Sequence, residues 1–162
     1  MFHLFRTDEG NRALLIQRLL LGLVIFPHGA QKLFGWFGGY GFSGTMNFFT
    51  GTMHLPSLIA LLVILIESIG AVLLALGLLS RLAAAGVSAV MVGAVVTSHL
   101  SHGFFMNWFG NQQGEGFEFH LLALALAIPI VIWGGGAAAL DSAIFQRFPL
   151  SVALPSPAAR RS

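Results

Sequence analysis

Residues 56–79 read PSLIALLVILIESIGAVLLALGLL, an apolar run with a single charge, Glu67, near its middle. At 1.5 Å per residue, a helix over this run crosses the ~30 Å hydrocarbon core of a bilayer. The run has no period-2 alternation, and backbone in lipid must satisfy its own hydrogen bonds, so it reads as a helix and not as a barrel strand. Pro56 suits a first helical turn, where no amide donor is lost. Three further stretches of the same kind lie outward of it, from about Ala13 to Phe34, Leu82 to Phe105 and Phe119 to about Leu140. The sequence therefore predicts an all-α integral membrane bundle of four transmembrane helices, with spans at about 13–34, 56–79, 82–105 and 119–140. These form one domain over residues 1–147, and the three-proline stretch 148–162 is expected to be a disordered cytoplasmic tail.

The 162-residue chain is 56% hydrophobic and 9% charged, against roughly a quarter charged residues in soluble domains. That leaves too little polar surface to cover a soluble fold, and four spans leave no length for a separate soluble domain. Cysteine is absent, which excludes disulfides, thiolate metal sites, thiol nucleophiles and a dithiol relay. Any redox role needs electrons carried by something else. The basic residues form no stripe interleaved with aromatics, so nucleic acid is not an expected partner. Arg18 interrupts the first run and Pro27–Ala30 is a poor cleavage site, so that run is read as a retained helix and not as a signal peptide.

Seven of the eight basic residues, Arg6, Arg12, Arg18, Arg81, Arg147, Arg160 and Arg161, flank one membrane face, and Lys32 stands alone at the other. By the positive-inside rule both termini and the Ser80–Arg81 joint are cytoplasmic. The longer connections, 35–55 and 106–118, then face outward.

Ionisable groups inside apolar runs cost at least ~2.5 kcal/mol each on insertion scales, and so mark candidate sites. Arg18 lies close enough to its helix start to snorkel to the cytoplasmic headgroups. His28 and Lys32, four residues apart, share a helix face near the outer end. Lys32 is free to snorkel outward, and for His28, beside Pro27, a packing role and a functional role both stay open. Glu67 lies about 16 Å from the outer end of its span at 1.5 Å per residue. It is expected to point inward and to be neutral or paired with His28 or Arg18.

His99, His102, Glu115, Glu118 and His120 gather at the same outer level. That layer suits proton uptake, haem ligation or a divalent metal, but no spacing matches a metal motif such as His-Glu-x-x-His, and no metal ligands are assigned. His3 and His54 are peripheral. The glycine-rich segment 34–42, FGWFGGYGF, reads either as an interfacial aromatic belt or as a re-entrant loop walling a pocket for a flat, apolar ligand.

The turn His28-Gly-Ala-Gln-Lys32-Leu-Phe-Gly35 leading into Gly38-Gly-Tyr-Gly41, with Glu67, Gly70, Gly77 and Arg81 downstream, resembles the DoxX family over about residues 13–140. Ala71 departs from it, since a second glycine usually follows Gly70. The resemblance implies a four-helix protein of a bacterial-type cytoplasmic (inner) membrane, associated with oxidoreductase systems. These include a small subunit of a thiosulfate:quinone oxidoreductase and membrane partners of thiol and oxidative-stress enzymes. The missing cysteine argues against carrying a thiol relay over to this chain.

The combined expectation is the membrane subunit of a quinone-linked oxidoreductase, acting with a redox-enzyme partner and not as an enzyme alone. Quinone or quinol would sit in the outer half of the bundle, with Trp36, Phe37 and Tyr40 as walls. His28, Lys32, His99 and His120 would be ring contacts, and Glu67 below and Glu118 above would bracket a proton path. Quinone ranks ahead of haem or a divalent metal, and a homo-oligomer is compatible with this reading. The competing readings are a non-catalytic anchor or assembly protein and a small transporter of protons or solute.

Overall fold

Helix α1 spans Arg12–Phe34, opened by the Asn11 side chain, which accepts the Leu14 amide at 3.2 Å, and closed by Gly35 in the left-handed region. This computed structural model describes residues 7–147; His3, Arg6, Arg160, Arg161 and the expected tail lie outside them. A short helix, α2, covers Gly41–Asn47 and runs on into a π-helical turn over Phe48–Thr52. Helix α3 is Ser57–Leu76 and α4 is Ser80–His102; α5 is Glu118–Trp133 and α6 Leu140–Arg147. Among the described residues there is no strand. Helices α1, α3 and α4 are each long and apolar enough to cross a membrane, and α5 is a shorter apolar helix.

The span ends differ from the sequence expectation for local backbone reasons. Helix α3 stops at Leu76 because Gly77 turns left-handed, φ +69°. Helix α4 begins at Ser80 and ends before Gly103, φ +82°. The largest departure is the fourth apolar run, expected to be helical to about Leu140. It breaks after Trp133, where Gly134 and Gly136 take φ +88° and +73°, conformations cheap only for glycine.

Helix α1 packs against α3 and α5, and α4 packs against α5 and the second half of α3. Small residues set the closest approach. A Cβ on Gly22 would lie 2.8 Å from the Ala71 carbonyl, and one on Gly29 would lie 2.3 Å from the Glu67 backbone. Lipid is as apolar as leucine, so close packing of this kind holds membrane helices together. Large apolar side chains face outward from all four long helices: Leu23, Leu58, Val96 and Leu122 are each about two-thirds exposed, as a lipid-facing surface requires.

Candidate functional site

The two ends of the bundle handle buried charge differently. At the end where α3 meets α4, Arg18 does not reach for headgroups. It is 2% exposed, because the α1–α3 seam at Gly22 holds its Cα level with the end of α3. Its Nε donates to the Gly135 carbonyl at 2.8 Å, and Nη1 to those of Leu74 and Ala75 at 3.3 and 2.5 Å. Nη2 donates to Ala137 and Ala138 at 3.1 and 2.9 Å. These five bonds match the five donors of a guanidinium. Asp141, which the sequence reading passed over, accepts the amides of Leu79 and Ser80 at 2.7 and 2.9 Å. It thereby holds the left-handed Leu79, φ 52°, in the α3–α4 joint.

At the opposite end Glu67 is buried and points into the bundle, but its partner is neither His28 nor Arg18. Lys32 Nζ donates to Glu67 Oε2. The reason is directional: side chains on a helix lean toward its N-terminus. In the antiparallel pair α1 and α3, Lys32 leans down toward Glu67 while Glu67 leans up toward Lys32. The glycine at position 29 brings the two backbones close enough for the bond.

Above this pair lies a cavity of about 580 Å³, within the ~300–1,000 Å³ range of small-molecule sites. Its polar side is Lys32, Glu67, His28, His99, His120 and Glu115, and its apolar walls include Phe48, Phe49, Met53, Met106 and Phe119. His28 meets Phe119 at a ring distance of 5.7 Å, and the rings of His99 and His120 are 4.2 Å apart. His99 Nδ1 sits 2.8 Å from the Glu115 carbonyl. His120 is buried and its Nδ1 has no hydrogen-bond partner of normal geometry, its neighbour there being the Phe117 backbone. Among the described residues no three His, Asp or Glu side chains gather closely enough to hold a metal.

Three π-helical turns, Phe48–Thr52, Ile66–Gly70 and Val95–His99, each supply cavity residues: Phe48 and Phe49, Ile66 and Glu67, Thr97 to His99. Such turns insert a residue into the α-helical register and often coincide with functional sites. Hydropathy does not reveal them.

The sequence-predicted set is thus brought together only in part. His28, Lys32, Glu67, His99 and His120 line one cavity. Trp36, Phe37 and Tyr40 do not; they are 53%, 70% and 77% exposed. The left-handed Gly35, Gly38 and Gly41 turn that segment back along α1, and a Cβ on Gly39 would meet the Gln31 backbone at 2.3 Å. Glu118 is also outside the cavity, its Oε1 accepting from the Met106 amide at 3.0 Å and Trp108 Nε1 at 3.1 Å. Its place on the wall is taken by Glu115. The aromatic walls that sequence reasoning missed were visible as residues, the Phe48-Phe49 pair and Phe119 beside His120, but nothing in their spacing set them apart from membrane-facing phenylalanines.

No solved structure matches the chain. The Bacillus subtilis (strain 168) protein named Putative oxidoreductase CatD is 33% identical over 132 residues, covering 82% of this chain and 87% of that protein. Residues 13–100 match the DoxX family. The chain, a multi-pass membrane protein by its apolar helices, belongs to the DoxX family.

Proposed function

We propose that this protein is the membrane subunit of a quinone-linked oxidoreductase and that the cavity beside the Lys32–Glu67 pair holds the quinone or quinol ring. The observation that carries this reading is one cavity that combines aromatic walls with six ionisable side chains the sequence had singled out. Reducing a quinone to a quinol takes two electrons and two protons. The electrons would come from a centre on a partner subunit, since this chain has no redox-active sulfur. Its own residues position and protonate: Lys32 and His28 are donors near the ring oxygens, and Glu67 holds the Lys32 ammonium in place. The adjacent His99 and His120 lead from the cavity toward Glu115 and bulk water, with proton-transfer groups in hydrogen-bonding reach of a ligand. The similarity to a protein whose name is that of an oxidoreductase supports the redox assignment.

The same reading places the cavity in the outer half of a cytoplasmic (inner) membrane bundle of four spans, α5 being the fourth, with both termini and Arg81 inside. Single cysteines at Tyr40 and Asn111, in this cysteine-free background, are expected to react with an impermeant reagent in intact cells. A cysteine in place of Arg81 is not, and its labelling overturns the topology.

The test of function is quinone content and affinity of the purified protein, wild type against His28→Ala and His120→Ala. Bound quinone in the wild type and at least tenfold weaker binding in both variants is the expected result. A wild type that binds no quinone refutes the proposal and leaves a non-catalytic anchor in its place.

A further inference from the structure

Helices α3 and α4 touch along only part of their length. A Cβ on Gly86 would lie 3.3 Å from the Ile66 side chain, and close packing between the two helices continues from there through Leu76 toward the Arg18 end. Beyond Ile66, toward the histidines, they separate: Ser57–Leu65 packs instead against α1 and the Gly41–Thr52 segment. The π-turn Ile66–Gly70 stands at the point of divergence, where such a turn redirects a helix. Both separated stretches nonetheless line the cavity, Ile59 and Leu62 from α3 and Ala89, Gly93 and Ala94 from α4. Ile59 and Leu62 are 45% and 42% exposed, and a Cβ on Gly93 would meet nothing within 4 Å. The part of the cavity wall between the diverging stretches of α3 and α4 is therefore apolar and loosely filled.

We propose that this gap is a lateral mouth through which a tailed amphiphile reaches the cavity directly from the bilayer. Its polar head lies against Lys32, Glu67 and the histidines, and its hydrocarbon tail lies between Leu62 and Gly93. The stretch between α3 and α4 suits a tail because Ile59, Leu62, Ala89, Gly93 and Ala94 carry no polar side chain. The inference deepens the quinone reading and rests on it for the head group: it specifies a membrane-dissolved, long-tailed ligand over a water-borne ring.

The test compares a decyl-tailed benzoquinone with its tailless ring in nanodiscs, affinities being expressed per membrane concentration. The wild type is expected to bind the tailed compound at least tenfold more tightly. Gly93→Phe, whose Cβ meets no neighbour within 4 Å, is expected to weaken the tailed compound at least fivefold more than the tailless ring. Gly51→Phe, equally unobstructed but away from the gap, is expected to change neither. Equal wild-type affinities, or equal losses of both compounds in Gly93→Phe, overturn the mouth and leave the quinone reading intact. If the wild type binds neither compound, the quinone reading falls and the gap is judged separately. A bimane attached to Gly93→Cys, quenched by brominated lipid chains as strongly as one at the lipid-facing Val96→Cys, supports the mouth, and an unquenched one overturns it.

Discussion

Arg18 and the Lys32–Glu67 pair are both charges buried in the same helix pair, α1 and α3, yet their surroundings differ in one decisive respect. Every donor of Arg18 is matched by a carbonyl, two of them at the C-terminal end of α3, where the helix dipole favours a cation. No free valence faces a cavity, and the arrangement can do nothing but hold helix ends together. The Lys32–Glu67 pair satisfies itself only in part. Lys32 keeps further donors, Glu67 keeps a second oxygen, and both border an open volume with three histidines. Burial of a charge therefore marks either structure or function, and unspent hydrogen-bonding capacity beside a cavity separates the two.

The largest expected effect comes from breaking the saturated end. Arg18→Leu removes a donor from five carbonyls, of which Leu74 keeps the Gly77 amide at 3.0 Å; each of the other four costs ~1–3 kcal/mol where it stays dry. The yield of monodisperse protein in detergent is expected to collapse. Arg18→Lys, with three donors and no planar fork, is expected to recover only part of it. If Arg18→Leu purifies and unfolds like the wild type, the carbonyl cage is not what secures that end.

Next in size is Gly29→Val, which drives a side chain into the Glu67 backbone and forces α1 from α3. Overpacking of this kind costs ~1–3 kcal/mol, read as a lowered unfolding midpoint. Quinone affinity is expected to fall with it, because Lys32 and Glu67 move apart.

Glu67→Gln probes the unsaturated end without a change of shape. The Lys32 side chain is 23% exposed and is able to withdraw into the cavity, so the loss in stability is expected to stay near ~1–2 kcal/mol, below that of Arg18→Leu. Quinone affinity is expected to drop about tenfold, a difference of ~1.4 kcal/mol. A variant that loses stability as Arg18→Leu does, with ligand affinity unchanged, would make the two ends alike and remove the contrast. The smallest effect is assigned to Trp36→Ala: the side chain is outside the cavity, so binding is expected to remain within twofold. A tenfold loss there would return the glycine-rich segment to the site.

Much of the molecule was legible in the sequence because lipid imposes a simple rule: long apolar runs must be helices, so α1, α3 and α4 followed from hydropathy alone. The ionisable residues of the site were legible for the same reason, since a charge in such a run is costly enough to be conspicuous. What hydropathy could not supply was partnership. Arg18 was expected at the headgroups and Glu67 beside a histidine or an arginine, because depth along a helix ignores the direction in which side chains lean. The aromatic walls were assigned to Trp36, Phe37 and Tyr40 on proximity in the chain, whereas Phe48, Phe49 and Phe119 reach the cavity from other elements.

Hydropathy and charge placement thus establish the helical class, the apolar spans and the list of charges that membrane burial makes expensive. Which charges neutralise one another and which residues wall the cavity depend on packing. The close approaches at Gly22 and Gly29, the left-handed breaks at Gly77 and Gly134–Gly136, and the π-turn at Ile66–Gly70 act through neighbours distant in the chain. A glycine or a single inserted residue has no hydropathy signature, yet it sets the separation and direction of a whole helix.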